Sequence, residues 1–92
     1  KFLKIIDRII ISNLLYQVED KEGGAKEAAR LLKPNGLAMI IDWAGSYGGL
    51  GPRVDHLITK DKALKLFLNN SFSLVEEISA GDYHFGFIVK RL

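Results

Sequence analysis

The sequence predicts one small open α/β sheet with helices packed on it. Three observations carry this reading. Residues 5–12 (IIDRIIIS) and 37–43 (LAMIIDW) are short, nearly unbroken apolar runs, rich in β-branched side chains. Between them the apolar residues recur at helical spacing. Near the C-terminus, Gly81-Asp82 is a turn signal joining two further strand-like runs.

The elements follow in order. Residues 5–12 are too short for a typical helix, and their continuous apolar character predicts a strand buried on both faces, as in a parallel sheet. From Asp20 to Lys33 the period changes: Ala25, Ala28, Ala29 and Leu32 form a stripe, while Lys26, Glu27, Arg30 and Lys33 face water. Asp20 is the expected N-cap, and Gly23 and Gly24 weaken the first turn by about 1 kcal/mol each relative to alanine. Pro34-Asn35-Gly36 stops this helix and turns the chain into a second strand over 37–43. Residues 44–52, with Gly45, Gly48, Gly49 and Gly51, read as a mobile loop. Thr59 caps a second helix whose stripe is Ala63, Leu64, Phe67 and Leu68 and which Asn69-Asn70 close. Residues 72–79 are a third strand, and 83–90 a fourth that runs antiparallel to it across the hairpin.

Composition bounds the function. Ninety-two residues, 48% of them hydrophobic, make one domain or one piece of one. The 13 basic residues are scattered and offset by 11 acidic ones, and the resulting +2 gives no basing for nucleic-acid binding. There is no cysteine, so disulfides, thiolate metal sites and cysteine nucleophiles are excluded, and a reduced cytoplasmic setting is expected. No apolar run approaches the ~20 residues of a membrane span, so no membrane partner is expected. The chain opens on Lys1-Phe2-Leu3 and enters a strand at once, which predicts a fragment of a longer protein.

In an open parallel sheet, ligands bind beyond the carboxyl ends of the strands. That rule selects Ser12, Asn13, Leu14, Tyr16 and Gln17 after the first strand, Asp42 and Trp43 with Tyr47 after the second, and Tyr83 and His84 beyond the hairpin turn. Each also has a plainer reading. Asn13 and Asp42 can simply hold turns, Trp43 can be a packing residue, Tyr16 and Tyr83 can be rim aromatics, and His84 an ordinary strand histidine. His56, beside Asp55, reads as surface decoration, and neither histidine has metal-ligand spacing, so no metal is expected. The glycines at 45, 48, 49 and 51 match neither G-x-G-x-x-G nor G-x-x-x-x-G-K-[ST], which leaves that loop as a lid or connector.

Several stretches together resemble one family. Residues 9–17 (IIISNLLYQ) followed by Val18-Glu19-Asp20-Lys21 resemble the fourth strand and following loop of class I S-adenosylmethionine-dependent methyltransferases. Residues 26–43 (KEAARLLKPNGLAMIIDW) resemble the family's next helix, its L-K-P-G-G turn and its fifth strand, with Asn35 in place of the first glycine. Residues 59–72 resemble the following helix and the entry to strand six, and Gly81-Asp82-Tyr83-His84-Phe85-Gly86 the antiparallel strand seven. Gly23-Gly24 departs from the pattern, where a charged or apolar residue is usual.

The resemblance covers nearly the whole chain and implies a partial Rossmann-like sheet of order 1-2-4-3, the last strand antiparallel, making residues 1–92 the C-terminal half of a methyltransferase domain. The family's cofactor loop after strand one, and the acidic residue ending strand two, have no counterpart here. Carried across, S-adenosylmethionine contacts fall on Ser12, Asn13 and Leu14, and the pocket of a small-molecule methyl acceptor on Tyr16, Gln17, Trp43, Tyr83 and His84. His84 and Asp42 are the candidates for a catalytic base where the acceptor needs one. The competing expectation is a non-enzymatic α/β module acting through a sheet edge. In either case the first strand, between Ile5 and Ile11, is an apolar edge expected to self-associate.

Overall fold

The computed structural model describes residues 6–47 and 50–92. Ile5, the residues before it, and Gly48 and Gly49 of the glycine loop lie outside the described residues. Six main elements follow one another: β1 (Ile6–Ser12), α1 (Lys21–Leu31), β2 (Leu32–Trp43), α2 (Lys60–Leu68), β3 (Phe72–Ser79) and β4 (His84–Arg91). Two single 3₁₀ turns, Leu15–Gln17 and Val54–His56, occupy the connections after β1 and after β2.

The four strands form one sheet of order β1-β2-β4-β3. β1 and β2 are parallel, and β4 inserts antiparallel between β2 and β3, as expected from the hairpin at Gly81-Asp82. The expected helices are also present and capped as the sequence predicts. Asp20 accepts from the Gly23 amide at 2.9 Å, and Thr59 from the Lys62 amide at 3.2 Å. The Gly23 departure has a steric reason: a Cβ there would overlap the Asp20 carboxylate that caps the helix. Gly24, by contrast, faces open space.

One boundary differs from the expectation. Helix α1 ends at Leu31, and β2 begins at Leu32 rather than at Leu37. Pro34 disfavours the helical region for Lys33, which ends the helix early. Leu32 already pairs with Ile6, and the next pair is Arg8 with Leu37, so residues 33–36 bulge out of the ladder. Asn35 sits in that bulge at a φ of 71°, a conformation asparagine tolerates better than most residues.

Both helices pack on the same face of the sheet. Ala25, Ala28 and Ala29 of α1, and Ala63 and Phe67 of α2, share one core with Ala38, Ile40, Phe85, Phe87 and Val89 of the strands. Phe67 stands edge-on to Phe72 at 5.4 Å and to Phe87 at 6.2 Å between ring centroids. Arg91 Nε donates to the Ala29 carbonyl at 2.7 Å and ties β4 to the end of α1.

The expectation that the first strands are buried on both faces is corrected among the described residues. Along β2, Ala38, Ile40 and Asp42 are buried while the alternate residues Leu37, Met39, Ile41 and Trp43 are only half-buried. Ile10 of β1 is 70% exposed. The apolar continuity of these strands is real, but the helices reach one face only.

Phe67 has no accessible surface and bridges α2 to β3 and β4. Phe67→Ala should therefore lower stability by about 3–5 kcal/mol, read from urea melts of the full chain. A loss below about 1 kcal/mol would show that the helix layer closes over the gap.

Candidate functional site

The carboxyl ends of β1 and β2 lie side by side, with Ser12 in register with Ile41. The chain leaves β1 through Asn13 at a φ of 56°, and the Asn13 amide donates to the Ile41 carbonyl at 2.8 Å. That turn leaves Ser12, Asn13 and Leu14 exposed, Leu14 by 50%. No side-chain hydrogen bond joins Ser12 or Asn13 to a described residue, so both hydrogen-bonding side chains, and the apolar one of Leu14, are free for a ligand.

Asp42 is the one buried charged residue among the described residues, with no accessible surface. Alternation along β2 turns its side chain to the helix-covered face. There its carboxylate accepts from the Tyr16 amide at 3.1 Å and from the Trp43 amide at 2.8 Å. Both oxygens are thus engaged by backbone, and they fix the turn after β1 against the end of β2. Burial pushes the Asp42 carboxyl up from its ordinary value, opposed by the amides of Trp43, Tyr16 and Leu15 and by the nearby charge of His84.

The sheet separates the remaining candidates into two groups. Trp43 and His84 are paired across β2 and β4 on the face away from the helices, their ring centroids 4.3 Å apart. His84 Nε2 is buried without a hydrogen-bond partner among the described residues. Tyr83 meets Tyr47 edge-on at 4.9 Å. Gly51, at a φ of 95°, lies on the Trp43 indole so closely that a Cβ would come within 2.7 Å of it. Ser46 Oγ donates to the Pro52 carbonyl at 2.8 Å, closing the base of the same loop. The loop after β2 is therefore seated on Trp43, whose faces are taken by His84 and Gly51.

Tyr16 and Gln17 belong to the second group, on the side of α1. Gln17 Nε2 donates to the Tyr16 hydroxyl at 2.9 Å. Both line a cleft of about 470 Å³ with Val18, Glu19 and Lys21 on one wall and Asp55, His56 and Leu57 on the other. The placement of Asp55 and His56 opposite Tyr16 is absent from the sequence reading, which leaves them on the surface. Nothing local marks them: a single 3₁₀ turn after the glycine loop swings them across. Among the described residues, no cluster of three or more histidine, cysteine, aspartate or glutamate side chains has metal-binding geometry.

The Asp42 arrangement has a signed pH dependence. Because its folded carboxyl holds a proton more tightly than the unfolded one, the folded state binds more protons just above the ordinary value of 3.8. Stability contributed by this group therefore falls as pH rises through the window between the unfolded and the raised folded value. Asp42→Asn leaves one of the two amides without its acceptor and should cost about 1–3 kcal/mol. The gap between wild type and variant, measured by urea denaturation from acid to neutral pH, should be widest at low pH and narrow upward. A gap that widens with pH would mean that the amides, not burial, dominate.

No family model matches the chain, and no curated protein matches it. Solved structures do. A Sulfolobus solfataricus protein provisionally assigned as a type 11 methyltransferase is 28% identical, with a TM-score of 0.82 over 96% of this chain and 51% of its own. A SAM-dependent methyltransferase of Aquifex aeolicus is 18% identical, with a TM-score of 0.85 over 97% of this chain and 47% of its own. The N-methyltransferase NodS of Bradyrhizobium japonicum, in complex with S-adenosyl-L-homocysteine, is 15% identical, with a TM-score of 0.74 over 99% of this chain and 48% of its own. The chain spans about half the length of these proteins. No helix among the described residues is long and apolar enough to cross a membrane. With its sheet order, its inserted antiparallel strand and these structural neighbours, the chain has the class I S-adenosylmethionine-dependent methyltransferase fold, of which it forms a part.

Proposed function

We propose that the chain is the C-terminal, acceptor-side half of an S-adenosylmethionine-dependent methyltransferase domain acting on a small molecule in the cytoplasm. The observation that carries this reading is the 28% identity to the Sulfolobus solfataricus protein, sustained over 96% of this chain at a TM-score of 0.82. The exposed turn after β1 fits a cofactor contact: Ser12 and Asn13 offer uncommitted polar groups and Leu14 an apolar one. When bound, S-adenosylmethionine supplies a methyl group on a sulfonium, and the protein's task is mainly to align the acceptor with it.

Asp42 serves this task by positioning. Its carboxylate holds the Tyr16 amide and so sets where the Ser12-to-Gln17 turn stands relative to β2. Tyr16 and Gln17 then present hydrogen-bonding groups to an acceptor in the cleft. Trp43 and Tyr83 form the other side of the rim. Neither base candidate faces an acceptor in that cleft: both Asp42 oxygens already accept from backbone, and His84 lies with Trp43 on the other face of the sheet. The reading therefore rests on alignment rather than on a general base. A small acceptor accords with the cleft's size and the weak net charge.

Half of a site binds weakly. Isothermal titration of S-adenosylmethionine into the full 92-residue chain should give no saturable heat, because the glycine-rich cofactor loop has no counterpart in it. Micromolar binding by the chain alone would sink the half-domain reading. The exposed edge of β1 accompanies this state: β1 pairs only with β2 among the described residues. In isolation that edge, from Ile6 to Ile11, is expected to pair with a second copy. Light scattering should show mass rising with concentration, and a constant monomer mass across the millimolar range would rule the edge contact out.

A further inference from the structure

The chemistry of the cleft beside Tyr16 follows from which of its hydrogen-bonding groups are already engaged. The cleft measures about 470 Å³ and lies between the 3₁₀ turn after β1 and the 3₁₀ turn after β2. Its side-chain donors are largely committed to the protein itself. Gln17 Nε2 donates to the Tyr16 hydroxyl at 2.9 Å, and Lys21 Nζ donates to the Val18 carbonyl at 2.7 Å. With Gln17 Nε2 engaged in this way, Gln17 Oε1 is left as an open acceptor.

The acceptors are what remains. Glu19 forms no ion pair among the described residues. On the facing wall, Asp55 shares Oδ2 with Arg53 at 3.0 Å and keeps Oδ1 open. Lys21 is the one lysine or arginine that lines the cleft, and it is drawn to a carbonyl rather than to either acid. Tyr16 adds a half-buried aromatic ring to the same wall as Glu19.

We propose that the cleft takes an acceptor bearing an ammonium group, held by Glu19 and Asp55 beside the ring of Tyr16. A primary ammonium brings three donors and no acceptor, which complements the groups this cleft leaves open. It is also attracted to an aromatic ring, as a carboxylate or phosphate is not. An anionic acceptor would meet two carboxylates and find Lys21 engaged by Val18. A nitrogen held in this way keeps its proton and has no lone pair for a methyl group. The ammonium is therefore the handle of the acceptor and not its reacting atom. This rests on the reading of the cleft as the acceptor site, but it is tested by binding in the absence of cofactor, so the two fail separately.

The probe is phenethylammonium, compared with neutral phenethyl alcohol and anionic hydrocinnamate. Each is titrated into the isotope-labelled full chain and followed by the backbone amide shifts in NMR spectra. The expected result is saturable shifts centred on residues 16–21 and 55–57, with the ammonium bound about fivefold or more tighter than either comparison compound. Added salt should weaken the ammonium more than the alcohol. Glu19 and Asp55 are both exposed, so Glu19→Gln combined with Asp55→Asn removes the charges while the circular dichroism of the chain stays unchanged. That variant should bind the ammonium and the alcohol equally. No saturable shift with the ammonium overturns the proposal, and so does equal or tighter binding of the alcohol or the carboxylate. Shifts that fall outside the cleft, or a preference for the ammonium that survives in the double variant, overturn it as well. Micromolar binding of S-adenosylmethionine by the chain alone would sink the half-domain reading and leave this preference standing.

Discussion

Phe67 of α2 packs edge-on against Phe72 and Phe87, and α1 lays its alanine stripe on the same face of the sheet. This one-sided helix layer is the constraint from which the rest of the molecule follows. It uses the alternate residues Ala38, Ile40 and Asp42 of β2 and leaves Leu37, Met39, Ile41 and Trp43 half-covered. A sheet with one finished face can be stable while still presenting a second apolar surface. Its parallel strand pair makes a lasting half-covered state unusual.

Asp42 is where that layer meets the candidate site. A buried carboxylate is costly unless its lone pairs are satisfied, and here backbone amides on two different segments satisfy them. The cost of desolvation and the gain from the amides act on the same group, and desolvation is the larger effect on its protonation. What the residue achieves is mechanical: the turn that carries Ser12 to Gln17 is held against the end of β2. The opposite side of the rim is assembled differently, by a tilted ring contact of Trp43 with His84 and by a loop backbone that reaches the indole only because residue 51 is glycine.

The fold and the chemistry stand at different distances from the sequence. The sheet order and the methyltransferase fold connect through several independent features, among them the L-K-P-N-G bulge, the inserted strand and the structural neighbours. The structural neighbours are about twice this length, and the likeness to them gives the fold without the role of a site residue. The exposed Ser12-Asn13-Leu14 turn and the cleft beside Tyr16 lie at the carboxyl ends of the parallel strands, where this kind of sheet gathers ligands.

The sequence by itself determined the element order, both helix caps, the 72–79 strand and the closing hairpin. These are local matters, decided by apolar period, by a capping side chain three residues from its amide, and by turn residues. It also marked the rim, since the ends of parallel strands are where ligands gather. Only the tertiary structure decided which face each rim residue serves. Asp42 and Trp43 are neighbours in sequence, and strand alternation sends one to the buried face as a strut and the other to the open face beneath a loop. The early end of α1, the bulge at 33–36 and the crossing of Asp55 and His56 to the Tyr16 cleft were likewise tertiary outcomes. Each depends on pairing or packing with residues distant in the chain, a distance no local pattern encodes.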